Sequence, residues 1–260
     1  MSILKEPLIT IITVVYNCEQ TLAKTIESVI NQSYKNLQYI IIDGGSTDNT
    51  VNIIKSYSDQ ISFWESQKDD GIYDAMNKGI KMATGDVIGI INADDFYEEN
   101  AAKIIAENFE EGLVIYHGSL RNIADDGKIF VNPATKNVRN LKRGMVLNHP
   151  ATFVNKSVYD TLGAFSTEYK VAGDWDFILR SYLNKVKFIK IDEVLANFSL
   201  GGVSGCISLE YLDELSRVRK NNGLYKTWDK YYIYDKIRFL LLGKYLYKLY
   251  LLKQKLLSAK

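Results

Sequence analysis

The stretch VIGIINADDFYEE, residues 87–99, decides the fold. An apolar run from Val87 to Ile91 passes through Asn92 and ends in two adjacent carboxylates, Asp94 and Asp95. Such a run fits a strand buried on both faces. Two like charges at its tip repel unless something positive lies beside them. The run therefore reads as a central strand whose end opens into a polar crevice.

Working outward, the same alternation recurs upstream. LITIITVV (8–15) is a first continuous apolar strand, and Leu22, Ile26, Val29 and Ile30 follow it at helical spacing. LQYIII (37–42) is the second strand, with a helix from about Asp48. ISFW (61–64) is a short third strand, followed by Ile72, Met76, Ile80 and Ala83 on one helical face. DVIGII (86–91) is the fourth. This alternation predicts an α/β fold with parallel strands and right-handed crossovers. Ligands of such sheets bind beyond the carboxyl ends of the strands. The polar clusters at 16–17, 43–48 and 92–95 all fall there.

Beyond residue 112 the pattern loosens. Strand-like pieces near 113–117, 129–132, 151–154 and 187–199 mix with short helices. Asn155 is placed to cap one helix, and another runs from Asp174 to about Asn184. The expected organisation is a ligand-binding half over 1–112 and an acceptor half over 113–205. A basic helical extension covers 206–260. From Tyr225 onward nine basic residues stand against two acidic ones, with Ile233, Ile237, Leu241, Leu249, Leu252 and Leu256 near helical spacing. That composition suits either docking on an anionic membrane or packing on the domain or a second subunit. Gly243 weakens a continuous helix.

The chain has 260 residues, 47% of them apolar, and a net charge of +1, which argues against bulk nucleic-acid binding. Its two cysteines, Cys18 and Cys206, form no CxxC pair and point to a reducing cytosol. No basic leader with a cleavage site precedes the first strand, and no apolar run approaches the ~18 residues of a spanning helix.

Each polar cluster has two readings. DGGSTDNT (43–50) is either a capped turn or a site where Asp43 meets a base or ribose across Gly44 and Gly45. In DDGIYDAMNKG (69–79), Asn77, Lys78 and Gly79 interrupt a helix, and Lys78 either faces a phosphate or is a solvated lysine. Asp94 and Asp95 suit Mg2+ or Mn2+ shared with substrate phosphates, or else begin a helix. Asp174 in AGDWDFILR (172–180) is either a helix cap or a general base. His149 and the turn GGVSG (201–205) are further candidates. GxGxxG is absent, so nicotinamide chemistry is not expected.

Taken together, TVVYN, IIIDGGSTDNT, DDGIYDAMNKGIKMATGDVIGIINADD, HPATFVNKSVYDTLGAF and AGDWDFILR resemble glycosyltransferase family 2. The likeness spans about residues 7–205 and is greatest to bacterial transferases of O-antigen, capsule or exopolysaccharide synthesis. It implies a GT-A fold, Rossmann-like with a mostly parallel central sheet between helices, and an inverting, metal-dependent transfer. The donor would be a nucleotide-diphosphate sugar, with UDP-hexose or UDP-N-acetylhexosamine first. The acceptor would be a glycan or lipid-diphosphate-linked saccharide. The resemblance implies that Val15, Tyr16, Asn17 and Asp43 hold the nucleoside. Asp70, Asn77, Lys78 and Asp94 then line the donor site, and Mn2+ or Mg2+ sits on Asp95 first and Asp94 second. Asp174 would be the base, with His149, Trp175 and Ser204 on the acceptor or diphosphate side. Two departures are visible: Asn92 and Gly173 stand where the family often has acids. The alternatives are a metal-dependent nucleotidyltransferase, which would want a lysine-rich triphosphate loop, and a non-catalytic nucleotide-sugar binder. The implied location is the cytoplasm, peripheral on the inner membrane face, and a homo-oligomer is left open.

Overall fold

The computed structural model describes residues 6–124, 126–200 and 208–240. Strand β1 (Ile9–Val15) is buried along its whole length and lies between β2 (Leu37–Asp43) and β4 (Val87–Asn92), parallel to both. β3 (Phe63–Ser66) adds to β2 in parallel, two residues later than the sequence suggests. Period-two alternation splits the core. Ile12, Val14, Ile40, Ile42, Ile88 and Ile90 face one layer, while Ile9, Ile11, Val15, Ile41, Val87 and Ile91 face the other.

Helix α1 (Leu22–Ile30), α2 (Thr50–Ser56) and α4 (Ala101–Glu107) cover the second layer with Leu22, Ile26, Ile54, Ala101 and Ile105. Helix α3 (Ile72–Met82) covers the first. It runs unbroken through Asn77, Lys78 and Gly79, where an interruption was expected. A Cβ on Gly79 would stand 2.5 Å from the Ile12 side chain, so glycine there lets the helix lie directly on β1. Close packing outweighs the helix cost of glycine.

The parallel order stops at β4. β8 (Thr152–Asn155) pairs with it antiparallel, and β6 (Val114–Ala124) pairs antiparallel with β8. β9 (Lys187–Leu200) runs parallel to β6, and the short β5 (Phe96–Tyr97) closes on β9 antiparallel. β7 (Ile129–Asn132) hangs on the far half of β6. The α/β sheet between helices is thus parallel on one side and mixed on the other.

Two further helices, α5 (Lys156–Leu162) and α6 (Gly173–Leu183), pack on the first layer. Asn155 precedes α5 but does not cap it; its amide donates to the carbonyls of Glu110 and Gly112 at 2.8 and 2.9 Å. Helix α7 (Leu209–Asn221) docks with Leu212 and Val218 buried. Arg219 is buried with Asp229, at 2.6 Å, and also donates to the Arg143 carbonyl at 2.9 Å. Its guanidinium lies 5.5 Å from the Trp175 ring centroid and 5.8 Å from that of Tyr231. The extension read from residue 206 is therefore built into the body at its start. A last described helix covers 230–240, capped by Asp229, whose carboxylate accepts the Tyr231 and Tyr232 N–H groups. Gly243 and the leucines at 241, 249, 252 and 256 lie outside the described residues, as does Ser204.

Candidate active site

The carboxyl ends of β1 and β2 form one edge of the site. The Val15 side chain belongs to the core, and its carbonyl accepts the Gly44 N–H at 2.9 Å. Tyr16, next in the chain, is 61% exposed. Asn17 adopts φ 50°, a left-handed conformation that asparagine tolerates. Its backbone N–H donates to Ser46 Oγ at 2.8 Å, and its side-chain oxygen accepts the Thr47 N–H at 2.8 Å. These bonds stitch the loop after β1 to the loop after β2.

Asp43 is fully buried. It accepts the Gly45 and Ser46 N–H groups at 3.2 and 3.0 Å, the Ser66 hydroxyl at 2.6 Å and the Ser46 hydroxyl. Three of these bonds fall on Oδ2 and one on Oδ1. Asp43, expected from sequence to meet a base or ribose, here holds the turn of the loop after β2. The neighbouring Asp69, which sequence reasoning passed over, presses its carboxylate against Gly44, where a Cβ would meet Oδ2 at 2.5 Å. Asp70 is exposed at the start of α3, its N–H donating to Asp74 at 3.2 Å.

Two expected donor-site residues are engaged elsewhere. The Asn77 amide bonds both the carbonyl and the N–H of Phe165, at 2.9 and 3.0 Å, and so ties α3 to the loop before α6. Lys78 pairs with Asp74 one turn earlier on α3, at 3.0 Å.

At the end of β4 the two adjacent acids differ. Asp94 is partly exposed, and its carboxylate has no hydrogen-bond partner among the described residues. Asp95 is fully buried. Its Oδ1 accepts the Ser199 N–H at 3.3 Å, while Oδ2 has no partner among the described residues. Burial, and then the charge of Asp94, push its carboxyl up to about 8. Both acids stand at the expected strand end, Asp94 partly open to solvent and Asp95 enclosed with one oxygen unused among the described residues. Asn92 also carries a buried amide oxygen without a partner among the described residues. No three His, Cys, Asp or Glu side chains converge among the described residues. A cation at this strand end would take one or two protein oxygens and fill its shell from water and phosphate, the habit of Mg2+ and Mn2+. Asp94 fits that role.

The opposite edge is assembled from distant segments. Asp174 lies in the first turn of α6, partly exposed. Its Oδ1 accepts the Trp175 N–H at 2.8 Å and the Tyr73 hydroxyl at 3.2 Å. Oδ2 has no partner among the described residues. Tyr73 also donates to the Val171 carbonyl at 2.7 Å, and burial with the adjacent carboxylate raises its pKa. The Tyr73 ring accounts for Gly173, since a Cβ there would stand 2.7 Å from it. An acid at 173 would displace the ring. His149 lies in the turn before β8, near enough to Asp174 to feel its charge. Burial lowers the imidazole pKa and Asp174 partly opposes this. Trp175, expected on the acceptor side, is instead a core anchor, buried with its ring N–H donating to the Leu141 carbonyl at 2.8 Å.

A family model described as glycosyl transferase family 2 matches residues 10–163, from within β1 to the start of the loop after α5, including the loops after β1, β2 and β4. The chain belongs to glycosyl transferase family 2. It is a glycosyltransferase. An uncharacterized glycosyltransferase of Mycobacterium tuberculosis is 30% identical over 207 residues, covering 76% of this chain and 77% of that one. The PGL/p-HBAD biosynthesis glycosyltransferase of Mycobacterium bovis is 28% identical over 222 residues, covering 80% and 84%. Among solved structures, S. aureus TarS 1-349 in complex with UDP-GlcNAc superimposes with a TM-score of 0.66 at 18% identity, over 85% of this chain and 68% of that one. The mannosyltransferase PcManGT from Pyrobaculum calidifontis, in complex with GDP-Man and Mn2+, gives 0.63 at 14%, over 88% and 67%. These two likenesses establish the shared GT-A fold. The family assignment removes the nucleotidyltransferase and non-catalytic alternatives.

Proposed function

We propose that this glycosyltransferase moves a sugar from a nucleotide-diphosphate donor, a UDP-hexose or UDP-N-acetylhexosamine, to a hydroxyl of a glycan or lipid-diphosphate-linked saccharide in surface polysaccharide synthesis, with inversion. The donors named for TarS and for the mannosyltransferase are both nucleotide-diphosphate sugars, which supports the donor class. The observation that carries the reading is Asp174: one carboxylate oxygen accepts the Trp175 N–H and shares the Tyr73 hydroxyl with the Val171 carbonyl, and the other has no partner among the described residues. That oxygen takes the proton of the acceptor hydroxyl as the hydroxyl oxygen attacks C1 from the face opposite the diphosphate. The C1–O bond to the diphosphate breaks with its electron pair on the leaving oxygen. The stitched loops at 15–17 and 43–47 hold the nucleoside, with the Tyr16 ring as its stacking face. Asp94 would hold a divalent cation, Mn2+ or Mg2+, which would supply positive charge against the departing diphosphate. One base and no covalent nucleophile suffice.

The test begins with a thermal-shift screen of nucleotide sugars, followed by NMR of the product formed from the stabilising α-linked donor. A β-configured product is expected. An α-configured product would overturn the single displacement.

The described tail also supports attachment to an anionic membrane face. On the helix over 230–240, Ile233, Tyr234, Ile237 and Leu240 are exposed, and Trp228 just before it is 77% exposed. Tyr231 and Tyr232 face the body instead, the latter through Asp213 at 2.6 Å. No helix among the described residues is long and apolar enough to cross a membrane. Basic residues beside an exposed apolar stripe suit a surface-lying helix. Full-length protein should sediment with anionic liposomes at low salt, and Ile233→Glu/Ile237→Glu should not. Equal sedimentation of both would remove this attachment.

A further inference from the structure

We infer that Glu214, on α7 and beyond the family-matched residues, is a positioning residue for the base Asp174; this rests on the base reading above. Glu214 is 5% exposed. Its Oε1 accepts the Lys170 N–H at 2.8 Å, and its Oε2 accepts those of Val171 and Ala172 at 2.9 and 3.0 Å. A buried carboxylate is costly unless so satisfied. The exposed Arg217 stands 3.6 Å from it.

The three N–H groups lead straight into α6, whose own N-cap is Ala172, with no side chain to cap it. Glu214 thus holds the turn that leads into α6 from another helix, and its negative charge lies near the positive end of α6. The same short segment is gripped from its other side. The Val171 carbonyl accepts the Tyr73 hydroxyl, which also reaches Asp174 Oδ1. The Ala172 carbonyl accepts the Asp176 N–H at 3.0 Å, the first bond of the helix. Glu214 holds the segment's N–H groups and Tyr73 holds its carbonyl. Their joint effect is to fix the direction of the Asp174 carboxylate. The family acid missing at Gly173 is not replaced in place. The segment is anchored by an acid 41 positions later, counting from residue 173 to residue 214.

Glu214→Gln keeps the shape but offers one acceptor oxygen and brings an NH2 group against N–H donors. In the full chain, kcat should fall about 10- to 100-fold, the scale on which a misplaced catalytic group costs rate. Donor affinity by calorimetry should stay within about twofold, because the donor edge does not touch this segment. In an Asp174→Asn background the same change should add little, because a group that acts through the base has no effect once the base is gone. Near-normal kcat in Glu214→Gln, or a loss that multiplies in full onto Asp174→Asn, overturns the inference. If Glu214→Gln does not fold by circular dichroism, Glu214→Asp decides. It keeps the charge and shortens the reach, so kcat should fall with donor affinity retained, and unchanged kcat overturns the inference. Normal turnover in Asp174→Asn alone would instead break the base reading, a distinct failure.

Discussion

The two edges of the crevice are built in opposite ways. The donor edge is local: Asp43 bonds to Gly45, Ser46 and Ser66, and Asn17 bonds to Ser46 and Thr47, all on loops that leave adjacent parallel strands. The base edge is collected from far apart, with Tyr73 on α3, His149 before β8, Asp174 on α6 and Glu214 on α7. The donor edge stands on strand ends that the sheet already fixes. The base edge needs the tail to be docked before it has a shape. Damage to the tail should therefore reach catalysis and global stability, while damage to a donor loop should stay with nucleotide binding.

The largest expected effect tests that dependence. Arg219→Ala leaves Asp229 as an unpaired buried charge and removes the cation from between Trp175 and Tyr231. It should lower unfolding stability by about 3–5 kcal/mol, measured by urea denaturation. A loss under about 1 kcal/mol would mean that the tail is an appendage and the contrast between the edges is false.

The next sharpens the contrast within β4. Asp94→Ala should cost several kcal/mol of transition-state stabilisation, about 100-fold in turnover. Chelation of the wild type should do the same, with Mn2+ or Mg2+ restoring activity. Asp95→Asn, which keeps the buried shape, should cost less. If Asp95→Asn is the more damaging, the exposed acid is not the ligand.

Acid supplies a third test, on the wall behind β8. His117 is buried with an unpartnered Nδ1, and burial, then Lys190, hold its imidazole down at about 4. The unfolded chain takes up the proton near 6.5 and the folded chain near 4, so stability is full above 6.5 and is lost as pH falls through that window. The loss should approach about 3 kcal/mol at pH 4. Unfolding midpoints of wild type and His117→Gln should converge as pH falls, and parallel curves would contradict the shift.

The smallest effect belongs to the donor edge. Asp43→Ala should weaken nucleotide binding by about 1–3 kcal/mol by releasing the turn that it ties together. Unchanged affinity by calorimetry would make the loop indifferent to its own bonds.

The same contrast governs what could be read before the structure. β1, β2 and β4 were legible because each is a continuous apolar run, and the polar clusters marked their ends. The candidate positions Tyr16, Asn17, Asp43, Asp94 and Asp174 stand out by local pattern alone. The partition between Asp94 and Asp95 was not legible, because it depends on Ser199 arriving from β9. Asn77 and Trp175 look like site residues in the sequence, yet their polar atoms are taken by the backbone at Phe165 and Leu141. Glu214 gives no local signal, since nothing near it on α7 tells that its partners are the N–H groups of 170–172. Gly173 reads as a defect until Tyr73 is seen lying over it.

The most direct test of the account is Asp174→Asn, which keeps the side chain's shape and its bond from Trp175 while removing its basicity. Positioned general bases contribute roughly 10²–10⁴-fold. Turnover should fall on that scale, with donor affinity by calorimetry unchanged and the circular dichroism spectrum intact. Near-normal turnover with the same folded spectrum would contradict the assignment of Asp174 as the base and leave it as part of the helix start.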